Sequence, residues 1–295
     1  MKSKKIALIS AACIILLFGV VWQHFNSHKF VVETLAQKPT EPGIVHTFYA
    51  AAVETKPQIK PPQEKVLRLP ILMYHHVGDL PDKADGTRQD LTVPTAEFEQ
   101  QVKWLSENGY KSIHLADLDN YAKGKFIMPK KPVIFTFDDG YLDVFTNAVP
   151  ILKKYNFTGS FAIITQFPGT QEGNNVYASW DVIRDAYRQG NEIVSHTQNH
   201  FDGSNPKFNS EFIQQNLCGS KTDLKQNLGI NTNILIYPYG HYTPDYINQA
   251  KICGFNMSLT VHEGSRINLE DLMEIPRVRI HGRQNFERFK QLVSE

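Results

Sequence analysis

The chain lacks an excess of charge of either sign. Its 31 Lys and Arg stand against 30 Asp and Glu, leaving a formal net charge of +1 over 295 residues. That balance argues against a nucleic-acid binder, which attracts phosphates with a basic surplus. Cysteine is scarce too, and three of them are too few for a disulfide framework. No internal repeat is present. The length allows one large domain or two small ones, and a single α/β barrel of about 250 residues fits.

The N-terminus also lacks something. Lys2, Lys4 and Lys5 precede an uncharged apolar run over residues 6–22, which reads as a secretory signal or a signal-anchor. No clear small-x-small cleavage site follows, and Ser10 stands where a lipoprotein signal ahead of Cys13 would usually carry Leu. The expectation is an uncleaved membrane anchor over residues 1–22 with the lysines in the cytoplasm, and a cleaved signal peptide is the alternative. Either reading places the rest of the chain outside the cytoplasmic membrane. Residues 23–65 lose periodicity and gather Pro39, Pro42, Pro57, Pro61 and Pro62, as a semi-extended linker does. In an oxidising location Cys218 and Cys253 could pair. Two buried free thiols are the expectation, because nothing in the sequence brings them together.

From residue 66 to 295 the pattern alternates. Short runs at 69–74, 111–113, 133–137, 159–164, 192–195, 233–237, 256–259 and 277–280 are strand-like, and those at 69–74 and 133–137 are apolar enough for buried strands. Between them, helical spacing or caps appear at 95–108, 115–122, 144–155, 180–189, 210–227 and 244–253, with a closing helix at 286–293. Such alternation calls for a parallel sheet, and this many units favours a distorted (β/α) barrel of about seven strands. In such barrels chemistry sits where strands run into loops.

The polar clusters fall at such ends. Tyr74-His75-His76 follows the first long strand, and Val133 to Phe137 stops at Asp138-Asp139-Gly140. Glu192-Ile193-Val194 leads into Ser195-His196-Thr197-Gln198-Asn199-His200, and Tyr237-Pro238-Tyr239-Gly240-His241 closes a later strand. An apolar strand running into two acids costs stability unless the charges are used, because buried carboxylates need partners. His196 and His200, four apart, would share a side if one helical turn followed the strand. One carboxylate with two imidazoles makes an open-sided set for a divalent metal such as zinc. The other carboxylate is then free to act as a base. Side chains alternate across a strand, so one of His75 and His76 should point inward. Arg277 and Arg279, two apart, share a face, and an arginine inside a barrel needs an acid, for which Asp138 is the candidate.

These motifs resemble the polysaccharide deacetylases, the NodB-type domain of carbohydrate esterase family four, over roughly residues 69–295. Thr136-Phe137-Asp138-Asp139-Gly140 matches the family's first motif, which implies Asp138 as catalytic base and Asp139 as metal ligand. Ser195 to His200 matches the second, implying His196 and His200 as further ligands. The third motif is usually Arg-x-Pro-Tyr, and here Ile236 replaces the arginine. Tyr237-Pro238-Tyr239-Gly240, with Met73-Tyr74-His75, is closer to the branch that deacetylates poly-N-acetylglucosamine. Arg277 is then expected to supply the missing charge. The resemblance implies hydrolysis of N-acetyl groups with a divalent metal, most simply Zn2+, with Co2+ or Ni2+ as alternatives. It further implies the Tyr239 backbone N–H as an oxyanion donor and a histidine as the acid. His75 is preferred over His281 for that acid. The implied partners are an N-acetylated glycan and, through residues 1–22, the membrane. Alternatives are a peptidoglycan or chitooligosaccharide deacetylase, or a glycan-binding protein that kept the fold and lost catalysis.

Overall fold

The computed structural model describes Pro62 and residues 64–294. The expected anchor, and all of the linker but Pro62, Glu64 and Lys65, lie outside the described residues. In chain order come β1 (Val66–Arg68), β2 (Ile71–Tyr74), β3 (His76–Val77), α1 (Gly86–Leu91), β4 (Thr92–Val93), α2 (Thr95–Glu107), β5 (Lys111–Ser112), α3 (Leu115–Ala122) and β6 (Pro132–Phe137). A π-turn at Val144–Ala148 leads into α4 (Val149–Lys154), β7 (Ser160–Ile163), the hairpin of β8 (Gln171–Glu172) and β9 (Asn175–Val176), α5 (Trp180–Arg188), β10 (Glu192–Ser195) and α6 (Ser210–Leu228). Then follow β11 (Ile234–Ile236), a 3-10 turn at Pro238–Gly240, α7 (Pro244–Ile252), β12 (Met257–Glu263), β13 (Arg266–Asn268), β14 (Ile275–Arg279) and α8 (Phe286–Ser294).

Strands β2, β14, β12, β11, β10, β7 and β6 pair in that order, and β6 pairs back onto β2, closing a barrel of seven parallel strands. Strand β5 adds to the start of β6. The apolar runs are continuous because both faces of each strand are covered. Alternation then sorts them into two clusters. Ile71, Ile134, Ala162, Val194, Met257 and Ile275 meet inside the barrel. Leu72, Val133, Phe135, Phe161 and Ile193 pack outward, joined by helix residues such as Phe98, Leu105 and Ile183. Each fully buried side chain of this kind contributes about 1.5–3 kcal/mol relative to exposure.

Helix starts follow local chemistry. Asp85 accepts from the Arg88 N–H, Ser179 from Val182, Asn209 from Phe212 and Thr243 from Tyr246. Each satisfies a backbone donor that has no partner within its helix. Gly229, at φ 73°, ends α6 in the left-handed conformation. The helix expected over 144–155 is interrupted, because Pro150 in the first turn of α4 has no N–H to give the preceding turn.

One expectation is corrected. Cys218 on α6 and Cys253 at the end of α7 form a disulfide, with Cα atoms 5.0 Å apart. They are 35 residues apart in the chain, and only the packing of α6 on α7 brings them into bonding range. Among the described residues no helix is long and apolar enough to cross a membrane.

Candidate active site

The alternation that builds the core also aims the polar residues. Two steps beyond Ile134 the interior face carries Thr136, and two further it carries Asp138. The same count from Ile71, Val194 and Ile275 leads to His75, His196 and Arg277. The lower barrel is thus filled with aliphatic side chains and its upper end with charge.

Arg277 is fully buried. Its Nη1 and Nη2 donate to the two oxygens of Asp138 at 2.8 and 2.7 Å, Nη1 also to Thr136 Oγ1 at 3.0 Å, and Nε to the Thr260 carbonyl at 2.8 Å. This fork is the geometry for which arginine suits a carboxylate. Burial alone would push the Asp138 carboxyl up, but the charge and hydrogen bonds of Arg277 outweigh it and hold it below the ordinary range. The guanidinium that the third motif lacks therefore comes from β14.

Asp139 has a different environment. Its backbone is left-handed at φ 72°, turning the side chain away from that of Asp138. Its Oδ1 lies 3.2 Å from Nε2 of His196 and 3.2 Å from Nε2 of His200. That oxygen is buried yet has no hydrogen-bond partner of good geometry. Ligands about 2.0–2.1 Å from a tetrahedral zinc stand about 3.3 Å apart, close to these separations. The orphaned oxygen and the two ring nitrogens therefore fit a divalent cation, and among the described residues they form the one such His/Cys/Asp/Glu group. Burial opposes ionisation of Asp139, but the two imidazoles beside it hold its carboxyl well below the usual range.

The two imidazoles do not converge through a helical turn as expected. Residues 196–200 form a loop in which Thr197 and His200 are left-handed, at φ 68° and 59°. The His200 N–H donates to Thr197 Oγ1 at 3.0 Å. His196 Nδ1 donates to the Ile236 carbonyl at 2.8 Å, which leaves the Nε2 lone pair facing Asp139. Helix α6 backs this loop: Ser220 bonds Ser195 at 2.7 Å, and Asp223 accepts from Gln198 at 2.8 Å and Thr165 at 2.6 Å. A Cβ at Gly219 would stand 2.5 Å from the Gln198 amide and push it off Asp223.

His75 and His76 part company as alternation requires. His75 faces the site with Nε2 3.9 Å from Asp138 Oδ2, and burial pushes its imidazole below the ordinary value against the pull of Asp138 and Asp139. His76 is buried behind it, bonded to Asp143 at 2.7 Å and stacked on Tyr141. His281 turns elsewhere, to Asp90 at 2.8 Å, which also binds Arg279 at 3.0 Å. Tyr239 sits left-handed in the 3-10 turn at φ 59°, its exposed ring against His200. All the site residues expected from the sequence except Arg277 line one cavity of about 700 Å3, and Arg277 lies beneath Asp138. The sequence did not single out Tyr141, Phe167, Glu172, Asn175 and Tyr177, which line it too. Tyr141 was within reach, two residues past Asp139, whereas the short β8–β9 hairpin that brings Glu172 and Asn175 has no apolar period to announce it.

The polysaccharide deacetylase profile matches residues 126–258, which include both acids and both imidazoles. YxkH of Bacillus subtilis, which bears the name of a polysaccharide deacetylase, is 30% identical over 223 residues, covering 74% of this chain and 73% of its own. The chain belongs to the polysaccharide deacetylase family. A poly-beta-1,6-N-acetyl-D-glucosamine N-deacetylase of Staphylococcus epidermidis is 28% identical over 76% of this chain and 81% of its own. The Escherichia coli protein of that name is 26% identical, but the present chain spans only 38% of it. Among solved structures, the Streptococcus pyogenes deacetylase PplD in complex with acetate superposes with a TM-score of 0.68 at 25% identity, over 77% of this chain and 98% of its own. IcaB from Ammonifex degensii does so at 0.66 and 25%, over 77% and 96%.

Proposed function

We propose that this polysaccharide deacetylase removes N-acetyl groups, in a metal-dependent reaction, from a polymer of the poly-N-acetylglucosamine type and releases acetate. The observation that carries the reading is the split fate of two adjacent acids. Asp138 is locked to Arg277, while Asp139 offers an unpartnered oxygen between two imidazoles.

Asp139, His196 and His200 would hold the cation, with zinc the first choice and cobalt or nickel the alternatives. The bound cation supplies Lewis acidity toward the acetyl carbonyl and the attacking water. Asp138 accepts the proton of that water. Arg277 favours its ionised form, at some cost in basicity. The Tyr239 backbone N–H donates to the developing oxyanion. His75 gives a proton to the departing amine; burial disfavours its imidazolium, which Asp138 and Asp139 partly offset, so the proton leaves readily. The residues ahead of the barrel hold the enzyme at the outer face of the membrane, or release it if residues 1–22 are cleaved.

Acetate release from poly-N-acetylglucosamine, chitin oligomers and peptidoglycan, each with and without a chelator, tests the reading. It predicts release from the first that a chelator stops and added zinc, cobalt or nickel restores. Glycan binding with no acetate under any metal would make the protein a lectin on an esterase fold. Turnover of peptidoglycan or chitin oligomers alone would move it to another branch.

A further inference from the structure

The link from β12 to β14 is a strand rather than a helix. The chain leaves β12 at Glu263, turns through Gly264 and Ser265, and continues into β13, which pairs with β1. Beside that turn lies a cavity of about 740 Å3, whose other walls come from the end of β14, the loop after it and α8. Arg279, Arg283 and Arg288 line it together with His281 and Gln284, while Val278 and Leu292 give it an apolar patch. One carboxylate, Glu263, lines it too. Arg279 is shared with the catalytic cavity.

Two of these groups are held from behind. Arg279 donates through Nη2 to Asp90 at 3.0 Å, and His281 meets the same carboxylate through Nδ1 at 2.8 Å. The Gly282 N–H donates to the Asp90 carbonyl at 2.7 Å. The loop is thus ordered before any ligand arrives, which lowers the cost of binding. Asp90 uses one side of each group, and the His281 Nε2 and the second arm of Arg279 are left over. Arg283 is exposed and, among the described residues, has no ion-pair or hydrogen-bond partner. The Gln284 amide nitrogen is buried and lacks an acceptor. Outside the cavity, the exposed Arg68 and Arg266 stand opposite each other in the β1–β13 pair, next to the Ser265 that lines it. Like charges so placed repel, a cost that an anion nearby would offset. Several donors around one space suit the several oxygens of a phosphate, which guanidinium forks bind through paired hydrogen bonds. The amine that deacetylation exposes has the wrong sign for this cavity, which sets it apart from the path of the glycan.

We infer that this cavity is a binding site for a phosphate group, carried by the headgroup of an anionic lipid or free in solution. The site is separate from the deacetylase centre and stands whether or not that reading holds. Calorimetry on the full chain tests it at constant ionic strength, with inorganic phosphate and with dihexanoylphosphatidylglycerol, a soluble short-chain lipid. Arg283→Glu should weaken the binding of the preferred probe by at least about tenfold, the loss of one charge-assisted hydrogen bond or more. Glu263→Gln removes the one acid that lines the cavity and should tighten binding several-fold. A damaged fold could not produce that gain, and both residues are exposed, so the melting temperatures should stay near wild type. Lipid affinity at least about tenfold above that for phosphate assigns the site to a headgroup, with Val278 and Leu292 against its glycerol. Any smaller advantage assigns it to free phosphate. Failure of both probes to bind the wild type overturns the site, as does binding that either variant leaves unchanged.

Discussion

The two flanks of the catalytic cavity are built differently. On one flank the loop carrying His196 and His200 rests on α6, a helix of 19 residues, through buried or half-buried bonds from Ser220 and Asp223. The disulfide to Cys253 fastens that helix to α7. On the other flank stand a helix of six residues and a hairpin of two-residue strands, joined mainly by the side chain of Arg88. The difference is one of support. The loop that carries the two candidate metal-binding imidazoles is backed by a long helix through several bonds. The opposite wall is made of short elements that one side chain positions.

The largest expected effect breaks the first flank outright. His196→Ala removes a ligand. Removing even the partners behind ligands costs about 10–100-fold in metal affinity, so this variant should lose more than that, read by zinc titration and by acetate release.

Arg277→Ala acts between the flanks. It leaves Asp138 buried without its counter-charge, at a cost of about 3–5 kcal/mol in denaturant unfolding. The sign with pH follows from the direction of the Asp138 shift. Because the folded carboxyl sits below its unfolded value of about 3.9, the stabilisation is complete above that pH and is lost as pH falls through the folded value. Acid unfolding of the variant should therefore begin at higher pH, and the acidic limb of its activity profile should move up. An unchanged profile would show that Arg277 does not tune the base.

How much of this was legible in the sequence follows from the same physics. Most strands of the barrel were announced by an apolar run, since both faces are buried, whereas β14 alternates arginine with apolar residues. The identities of both acids and both imidazoles followed from their place at strand ends. The Arg277–Asp138 pair was reachable because a barrel interior offers an arginine few partners. The disulfide was not legible, because 35 intervening residues hide the approach of two helices. Nor were α1 and the β8–β9 hairpin, whose few residues carry no period. The turn at 196–200 was misjudged for a related reason. Four-residue spacing fits a helix, but two left-handed residues achieve the same convergence there.

Breaking the disulfide sharpens the comparison. Cys218→Ser with Cys253→Ser should cost about 3–4 kcal/mol, the loop-closure value for a ring of this length. If α6 seats the metal loop, zinc affinity should fall as well, whereas a purely global staple would lower the melting temperature alone. The smallest effect is expected from Arg88→Ala. It frees the hairpin, whose Glu172 and Asn175 line the catalytic cavity, but touches none of the candidate metal ligands, so KM for the glycan should rise several-fold with zinc affinity unchanged. A matching fall in zinc affinity would erase the distinction between the flanks.

Arg277 reaches Asp138 across 139 residues of chain, from the last strand to close the barrel. Until β14 docks, a nascent chain holds an acid aimed into a greasy interior with nothing to neutralise it. The barrel therefore cannot be completed piecemeal as synthesis proceeds. Its closure is a late, long-range event, and the ionic lock at its centre ensures that only a chain made through its final strand settles into the working form.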